Sequence, residues 1–259
     1  MANHIMKMKY NAFKVFVSAA VILNLAMPAM TLAKIGTTTP NIGANFCAKI
    51  TELYSKIGQR MDNLSAKIEE KGSQRKETIE NRWQKRDERR TENRTKWDTN
   101  RAEHVAKLEA RANTDTQKQA VAQFKEAVNA AISARRAAID SAIEAFRKGV
   151  ESAITSRKTK VDEAESTYRN AVKAAYQKAQ ADCASGVEPA QIRTALKTDL
   201  KSAREKFNSD RETIEKMKDS IETLIASRKQ AIEKAIQDFK DAMEKAKANL
   251  KAALGENET

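Results

Sequence analysis

Apolar residues recur at every eleventh position along most of this chain, and they form three stripes. The steps from one stripe to the next are three, four and four residues, so all three stripes lie on one face of an α-helix. Because eleven residues are close to three helical turns, the pattern predicts long, nearly straight helices that pack on one another. Between residues 121 and 172 the stripes are Val121, Ile132, Ile143 and Ile154; Phe124, Phe146 and Tyr168; and Val128, Ile139, Val150, Val161 and Val172.

Two short polar stretches divide this pattern into three helices, expected at about 44–111, 116–184 and 189–254. The first stretch is Asn-Thr-Asp, and the second contains a Gly followed by a Pro, which is typical of a helix end and a new start. Since short connections make neighbouring helices antiparallel, we expect an all-α fold. The predicted architecture is an elongated antiparallel three-helix bundle (up-down-up) with eleven-residue (hendecad) coiled-coil-like packing. Residues 44–259 would form this single bundle, and residues 34–43 a linker before it.

The first 33 residues have the order of elements of a secretory signal peptide. Three lysines precede an apolar run at 15–25, and small residues at 31 and 33 offer a cleavage site. We therefore predict a signal peptide at 1–33. The alternative is an uncleaved N-terminal anchor, because residues 15–33 are just long enough to span a bilayer. Membrane contact is expected only through these residues, and only if they are not removed.

The two cysteines are placed symmetrically about the first predicted turn. Cys47 lies near the start of the first helix and Cys183 near the end of the second, at similar distances from the turn at 112–116. Folding the chain back at this turn brings the two together, which predicts a disulfide; two unrelated buried thiols are the alternative. A disulfide is typical of an oxidising compartment. It agrees with an exported protein that is periplasmic, on the cell surface, extracellular or membrane-anchored.

Arginine interrupts the apolar stripes at regular places. We expect these side chains to bury their stems and to form ion pairs across the seam between helices, which would set the register. The alternative is a loosely packed polar middle that opens to bind a ligand. The arginines are Arg75, Arg86, Arg90, Arg94, Arg101, Arg135, Arg157 and Arg228. The expected pairs are Arg86 with Glu144, Arg90 with Asp140, and Arg135 with Asp238.

The middle of the first helix combines both tryptophans of the protein with many basic residues. Rings that stack and charges that bind phosphate are the combination found in polyanion-binding surfaces. The candidate interaction residues are Trp83, Arg86, Arg90, Arg94 and Trp97. Acidic residues nearly balance the basic ones over 69–103, however, so this stretch reads mainly as a solvated, self-paired helix. This balance argues against nucleic acid as the partner.

No catalytic, cofactor-binding or metal-binding motif stands out in the sequence. Glycine-rich phosphate loops and nucleophile elbows are absent, and His104 is the one histidine after the predicted signal peptide, with no ligand-spaced partner. We therefore expect a non-enzymatic protein without a cofactor. Its net charge is +13, and about +10 remains after the three lysines of residues 1–33 are removed.

Two functions fit these expectations. The first is an exported structural or interaction protein, a helical rod that acts as a spacer, scaffold or adhesin in the cell envelope or outside the cell. The alternative is a peripheral binder of anionic surfaces, such as lipid head groups, envelope polymers or nucleic acid, through basic helix faces and the Trp/Arg stretch 75–101. The partner is then an unidentified protein or an anionic envelope component, and self-association into a homo-oligomer is compatible with both functions.

Overall fold

The computed structural model describes residues 42–254, which are helical throughout except at the connections. The helices are α1 (Ile42–Arg111), α2 (Asp115–Ala184), α3 (Pro189–Lys216) and α4 (Lys218–Leu254). The prediction of an all-α helical bundle is confirmed, and within residues 42–254 there is no strand. The hendecad packing stays a prediction. The signal peptide or anchor lies outside the described residues, as does the linker apart from its last two residues, with which α1 begins.

Local hydrogen bonds explain both chain reversals. Before α2, the Thr114 hydroxyl accepts from the Gln117 backbone N–H at 3.2 Å, while the Gln117 side chain accepts from the Thr114 N–H at 3.3 Å. This capping box satisfies free donors at the start of the helix. After α2, Gly186 takes a φ of 73°, and the Val187 N–H reaches back to the Asp182 carbonyl at 3.0 Å. Glycine is favoured at such a helix end because other residues are strained at positive φ.

The third predicted helix, expected at about 189–254, consists of the two segments α3 and α4, which meet at a tightened turn at Met217. The Met217 N–H donates to the Ile214 carbonyl at 3.2 Å, and the Ser220 N–H donates to the Met217 carbonyl at 3.3 Å. These are bonds to the third residue back, which tighten and lengthen the turn relative to an α-helix. Neither proline nor glycine lies at this break.

A difference in chain length between contact points accompanies the turn at Met217. The Tyr168 ring lies 5.1 Å from the Phe207 ring, and the Arg228 guanidinium lies 4.1 Å from the Phe146 ring centroid. On α2, the two contact residues are twenty-two residues apart. On the facing segment, Phe207 of α3 and Arg228 of α4 are twenty-one residues apart. A tightened turn rises about 2.0 Å per residue, against about 1.5 Å in an α-helix. The tightened turn at Met217 lengthens the shorter segment and so reduces this difference.

The apolar core lies mainly at the end of the bundle that carries the cysteines. Cys47 and Cys183 are at disulfide-bonding distance there, with sulfur atoms 2.04 Å apart. Beside them, buried side chains of α1, α2 and α3 pack together: Phe46, Ile50 and Ile57; Val172, Ala175, Tyr176 and Ala179; and Ile192, Leu196 and Ala203. A smaller cluster of Val128, Ile132 and Ala246 joins α2 to α4. Between Ile57 and Val105, no side chain of α1 is buried.

The close approach of α2 to α4 at Gly149 gives a matched test of packing. A Cβ at this position would lie 2.5 Å from Leu224 Cδ2, whereas one at Gly72 would meet no atom within 4 Å. We expect Gly149→Ala to lower the free energy of unfolding by about 1–2 kcal/mol, because overpacking outweighs the gain in helix propensity. Gly72→Ala should raise it by about 1 kcal/mol. Urea unfolding followed by circular dichroism measures both, and equal stabilisation by the two changes would contradict this packing.

Candidate functional site

Charged side chains, rather than apolar ones, connect the middle of α1 to α2. Three ion pairs that we call the ion-pair ladder recur at intervals of eleven residues on both helices. They are Asp87–Arg147 at 2.6 Å, Asp98–Arg136 at 2.6 Å and Glu109–Lys125 at 2.9 Å. The side chains of Arg147 and Arg136 are each 24% exposed, so both guanidinium groups lie within the seam. Toward the disulfide, Arg169 extends the same row by donating to Ser65 at 2.9 Å.

A second set of arginines crosses the seam in the opposite sense, from α1 to α2. Arg94 donates two hydrogen bonds to Asp140, at 2.9 and 2.8 Å, in the two-pronged geometry that favours arginine over lysine. The predicted Arg90–Asp140 pair is present at 3.4 Å, and Arg90 also donates to Asp87 at 2.9 Å. The closest partner of Asp140 is therefore one helical turn further along α1 than predicted.

The predicted pair of Arg86 with Glu144 is wrong. Glu144 instead binds Lys148 on its own helix at 2.7 Å, and Arg86 is exposed. The cause is the same shift of about one turn in the register of α1 against α2, which also moves the partner of Asp140 from Arg90 to Arg94. The sequence signal that locates the ladder is the eleven-residue spacing of acids at 87, 98 and 109 against bases at 125, 136 and 147.

The carboxylates of the seam are stabilised in their charged forms. Hydrogen bonding to Arg147 lowers the pKa of Asp87 below its ordinary 3.8, and hydrogen bonding to Arg94 does the same for the pKa of Asp140. The pKa of Asp98 is lowered chiefly by its hydrogen bonds to Arg136. At neutral pH these residues are ionised and paired within the seam.

The predicted pair of Arg135 with Asp238 is also wrong, because Arg135 lies over aromatic rings instead. Its guanidinium carbon is 4.0 Å from the centroid of Phe239 and 5.9 Å from that of Trp97. Asp238 binds Lys234 on its own helix at 2.8 Å. A cation over a ring face is attracted by the ring quadrupole, which compensates in part for lost water.

The contact of Arg135 with Phe239 has a reciprocal counterpart. Arg228 of α4 lies 4.1 Å from the ring centroid of Phe146 of α2. On each helix the arginine precedes the phenylalanine by eleven residues. When two such segments run antiparallel, the arginine of each faces the phenylalanine of the other, so a repeated sequence produces two equivalent contacts.

The five candidate interaction residues do not form one surface. Arg90 and Arg94 pair within the seam, while Arg86 is exposed. Trp83 is half-buried, with the Arg147 guanidinium 5.3 Å from its ring, whereas Trp97 is 57% exposed. An open groove of about 760 Å³ runs beside Trp83, and acidic side chains prevail in its lining: Glu80, Trp83, Gln84, Asp87, Glu88, Thr91, Glu92 and Arg147.

Comparison with models of protein families, with curated proteins and with solved structures finds no match for this chain. Within residues 42–254, no helix combines the length and apolar character that a membrane crossing requires. Over the same range, no group of three or more His, Cys, Asp and Glu side chains is arranged to hold a metal ion.

Acid should weaken the seam. Because the folded pKa of Asp87 and of Asp140 lies below the unfolded value, their stabilising contribution is complete above about pH 5 and is lost as the pH falls through the folded values. Asp87→Asn should lower the free energy of unfolding at pH 7 by about 0.5–1 kcal/mol. Between about pH 5 and 3, the free energy of unfolding of this variant should decrease less than that of the wild type. Asp199→Asn is the control, since Asp199 is exposed and pairs with no described residue. An equal pH dependence in both variants would contradict the role of Asp87.

Local opening should be easiest in the middle of α1. This section lacks buried apolar side chains and depends on partly exposed ion pairs, so its opening free energy is expected to be low. Hydrogen exchange of amides at 75–100 should be faster than at 130–160, and about 1 M salt should widen the difference by screening the pairs. Exchange that is equally slow in both sections, with or without salt, would show an ordinarily packed helix.

Proposed function

We propose that this protein is an exported, non-enzymatic helical rod that acts as a spacer, scaffold or adhesin in the cell envelope or outside the cell. One observation carries the proposal. Helices α1 and α2 each have 70 residues, about 105 Å at the usual rise, and a disulfide joins them at the end opposite their connecting turn. Two long helices that are linked at both ends and paired along the seam are suited to a spacer, which holds the components at its two ends a fixed distance apart.

The charges of the seam support the same proposal. The guanidinium groups of Arg94, Arg136 and Arg147 each bind a carboxylate of the facing helix with two hydrogen bonds. Groups used in this way fix the register of the helices and are not available to an external partner. Binding of an anionic surface through Arg90 and Arg94 therefore receives less support.

Export is supported by the cysteine pair and by the composition of residues 1–33. The test compares the full chain with a chain that begins at Lys34, both expressed in a bacterium and separated into cytoplasmic and envelope fractions. Thiol labelling without reductant should find Cys47 and Cys183 bridged in the full chain and free in the shortened one. Free thiols and a cytoplasmic location of the full chain would contradict export.

The scaffold role and surface binding differ in their response to salt. Envelope fractions incubated with the protein should retain it at about 0.5 M salt if apolar or shape-based contacts hold it. Release by salt, together with sedimentation on vesicles of anionic but not neutral lipid, would favour the peripheral binder instead. A chain with Trp97→Ala serves as a comparison, because this ring is largely exposed.

A further inference from the structure

Two large apolar side chains are exposed on the described part of the chain, and both lie near Arg135. Trp97 of α1 is 57% exposed and Ile236 of α4 is 40% exposed. The Arg135 guanidinium lies 5.9 Å from the centroid of the Trp97 ring and 4.0 Å from that of the Phe239 ring. Phe239 follows Ile236 by about one helical turn on α4. The two exposed side chains therefore flank the same arginine.

The basic groups beside these side chains have no carboxylate partner. Arg135 is half-buried and forms neither a hydrogen bond nor an ion pair with a described residue. Its neighbours Arg136 and Arg94 each bind a carboxylate across the seam, so their charges are paired within the bundle. Lys240 follows Ile236 by about one turn and is exposed, and it too forms no ion pair with a described residue. We call this set the apolar-basic patch: Trp97, Ile236, Arg135 and Lys240.

A surface of opposite charge lies on another side of α1. It is the open groove of about 760 Å³ beside Trp83, a size typical of binding pockets. In its lining, Glu88 accepts only from Gln84, at 3.0 Å, and Glu92 forms no ion pair or hydrogen bond with a described residue. Glu88 and Trp97 are nine residues apart, which is two and a half helical turns, so they lie on opposite sides of α1. The groove therefore cannot receive the patch of its own chain.

We propose that the apolar-basic patch of one chain docks in the groove beside Trp83 of a second copy of the chain. The exposed Trp97 ring enters the groove, and the basic groups of the patch face the carboxylates of Glu88 and Glu92. Opposite charges favour this pairing over the pairing of two like surfaces. Aromatic rings are enriched at the centres of interfaces because each ring buries a large area.

A second copy accounts for both surfaces at once. A small cation would occupy the groove but leave the patch exposed, and an acidic peptide would cover the patch but leave the groove empty. Because the two surfaces differ, the interface is heterologous, and a dimer retains one free patch and one free groove. Association therefore continues to larger assemblies. This self-association goes beyond the proposed structural role and does not depend on it.

Sedimentation velocity of the purified full chain at several concentrations tests the proposal. The patch variant is Trp97→Ala with Ile236→Ala, and the groove variant is Glu88→Lys with Glu92→Lys. We expect the wild type to form assemblies larger than a dimer. Each variant should require about tenfold higher concentrations to associate, because each loses a central part of the interface. Thermal unfolding at a low protein concentration should be nearly the same in all three chains, since the substituted side chains are exposed.

Mixing the two variants distinguishes this interface from other modes of association. The patch variant keeps an intact groove, and the groove variant keeps an intact patch. At a concentration where each is monomeric alone, an equal mixture should form dimers and nothing larger, since one intact interface remains.

The control of equal charge is Glu126→Lys with Glu222→Lys, because both residues are exposed and form no ion pair with a described residue. The concentration at which it associates should differ from that of the wild type by less than about threefold. Equal weakening in the control and in the groove variant would indicate general attraction between charges and overturns the proposal. A mixture of the patch and groove variants that stays monomeric overturns it as well. A wild type that is monomeric up to about 1 mM would leave the patch to a different partner, with the same consequence.

Discussion

The ionic pairing of α1 with α2 is the constraint on which the arrangement of the three-helix bundle depends. Over the long middle section of α1 there is no buried apolar side chain to hold the helix in place. Arginine and aspartate pairs with two hydrogen bonds each, such as Arg147 with Asp87, do so instead. Such pairs add little stability when partly exposed, but they are specific in geometry, since a shift of the register separates every pair at once.

Different parts of the molecule hold α1 in the bundle and set its register against α2. The buried cluster and the Cys47–Cys183 pair hold α1 at one end, and the capped turn at Thr114 holds it at the other. The charged residues between these ends set which residues face each other. Helix α2 is the common partner, because it also packs against α3 and α4 through apolar and ring contacts. A polar seam beside an apolar one explains how arginine can occupy positions of the apolar stripes.

Several features were predictable from local patterns. The eleven-residue period predicted the helices, and the residues around Thr114 and Gly186 predicted the turns, because capping and positive φ depend on a few neighbouring residues. The antiparallel topology followed from the short turns and predicted the meeting of Cys47 and Cys183. The tightened turn at Met217 was not predicted, because the segments on either side of it each look regular by themselves.

The sequence alone determined the type of structure: long helices, their ends, their antiparallel order and the cysteine pairing, all of which depend on neighbouring residues or on the position of one turn. Only the tertiary structure decided which charges meet. A displacement of about one helical turn exchanged Arg90 for Arg94 as the main partner of Asp140 and left Arg86 without a carboxylate. Contacts between helices require an accuracy finer than one turn, because side chains on adjacent turns reach different partners. Two helices with a periodic pattern match nearly as well after a shift of one helical turn. The pattern therefore does not select among these registers.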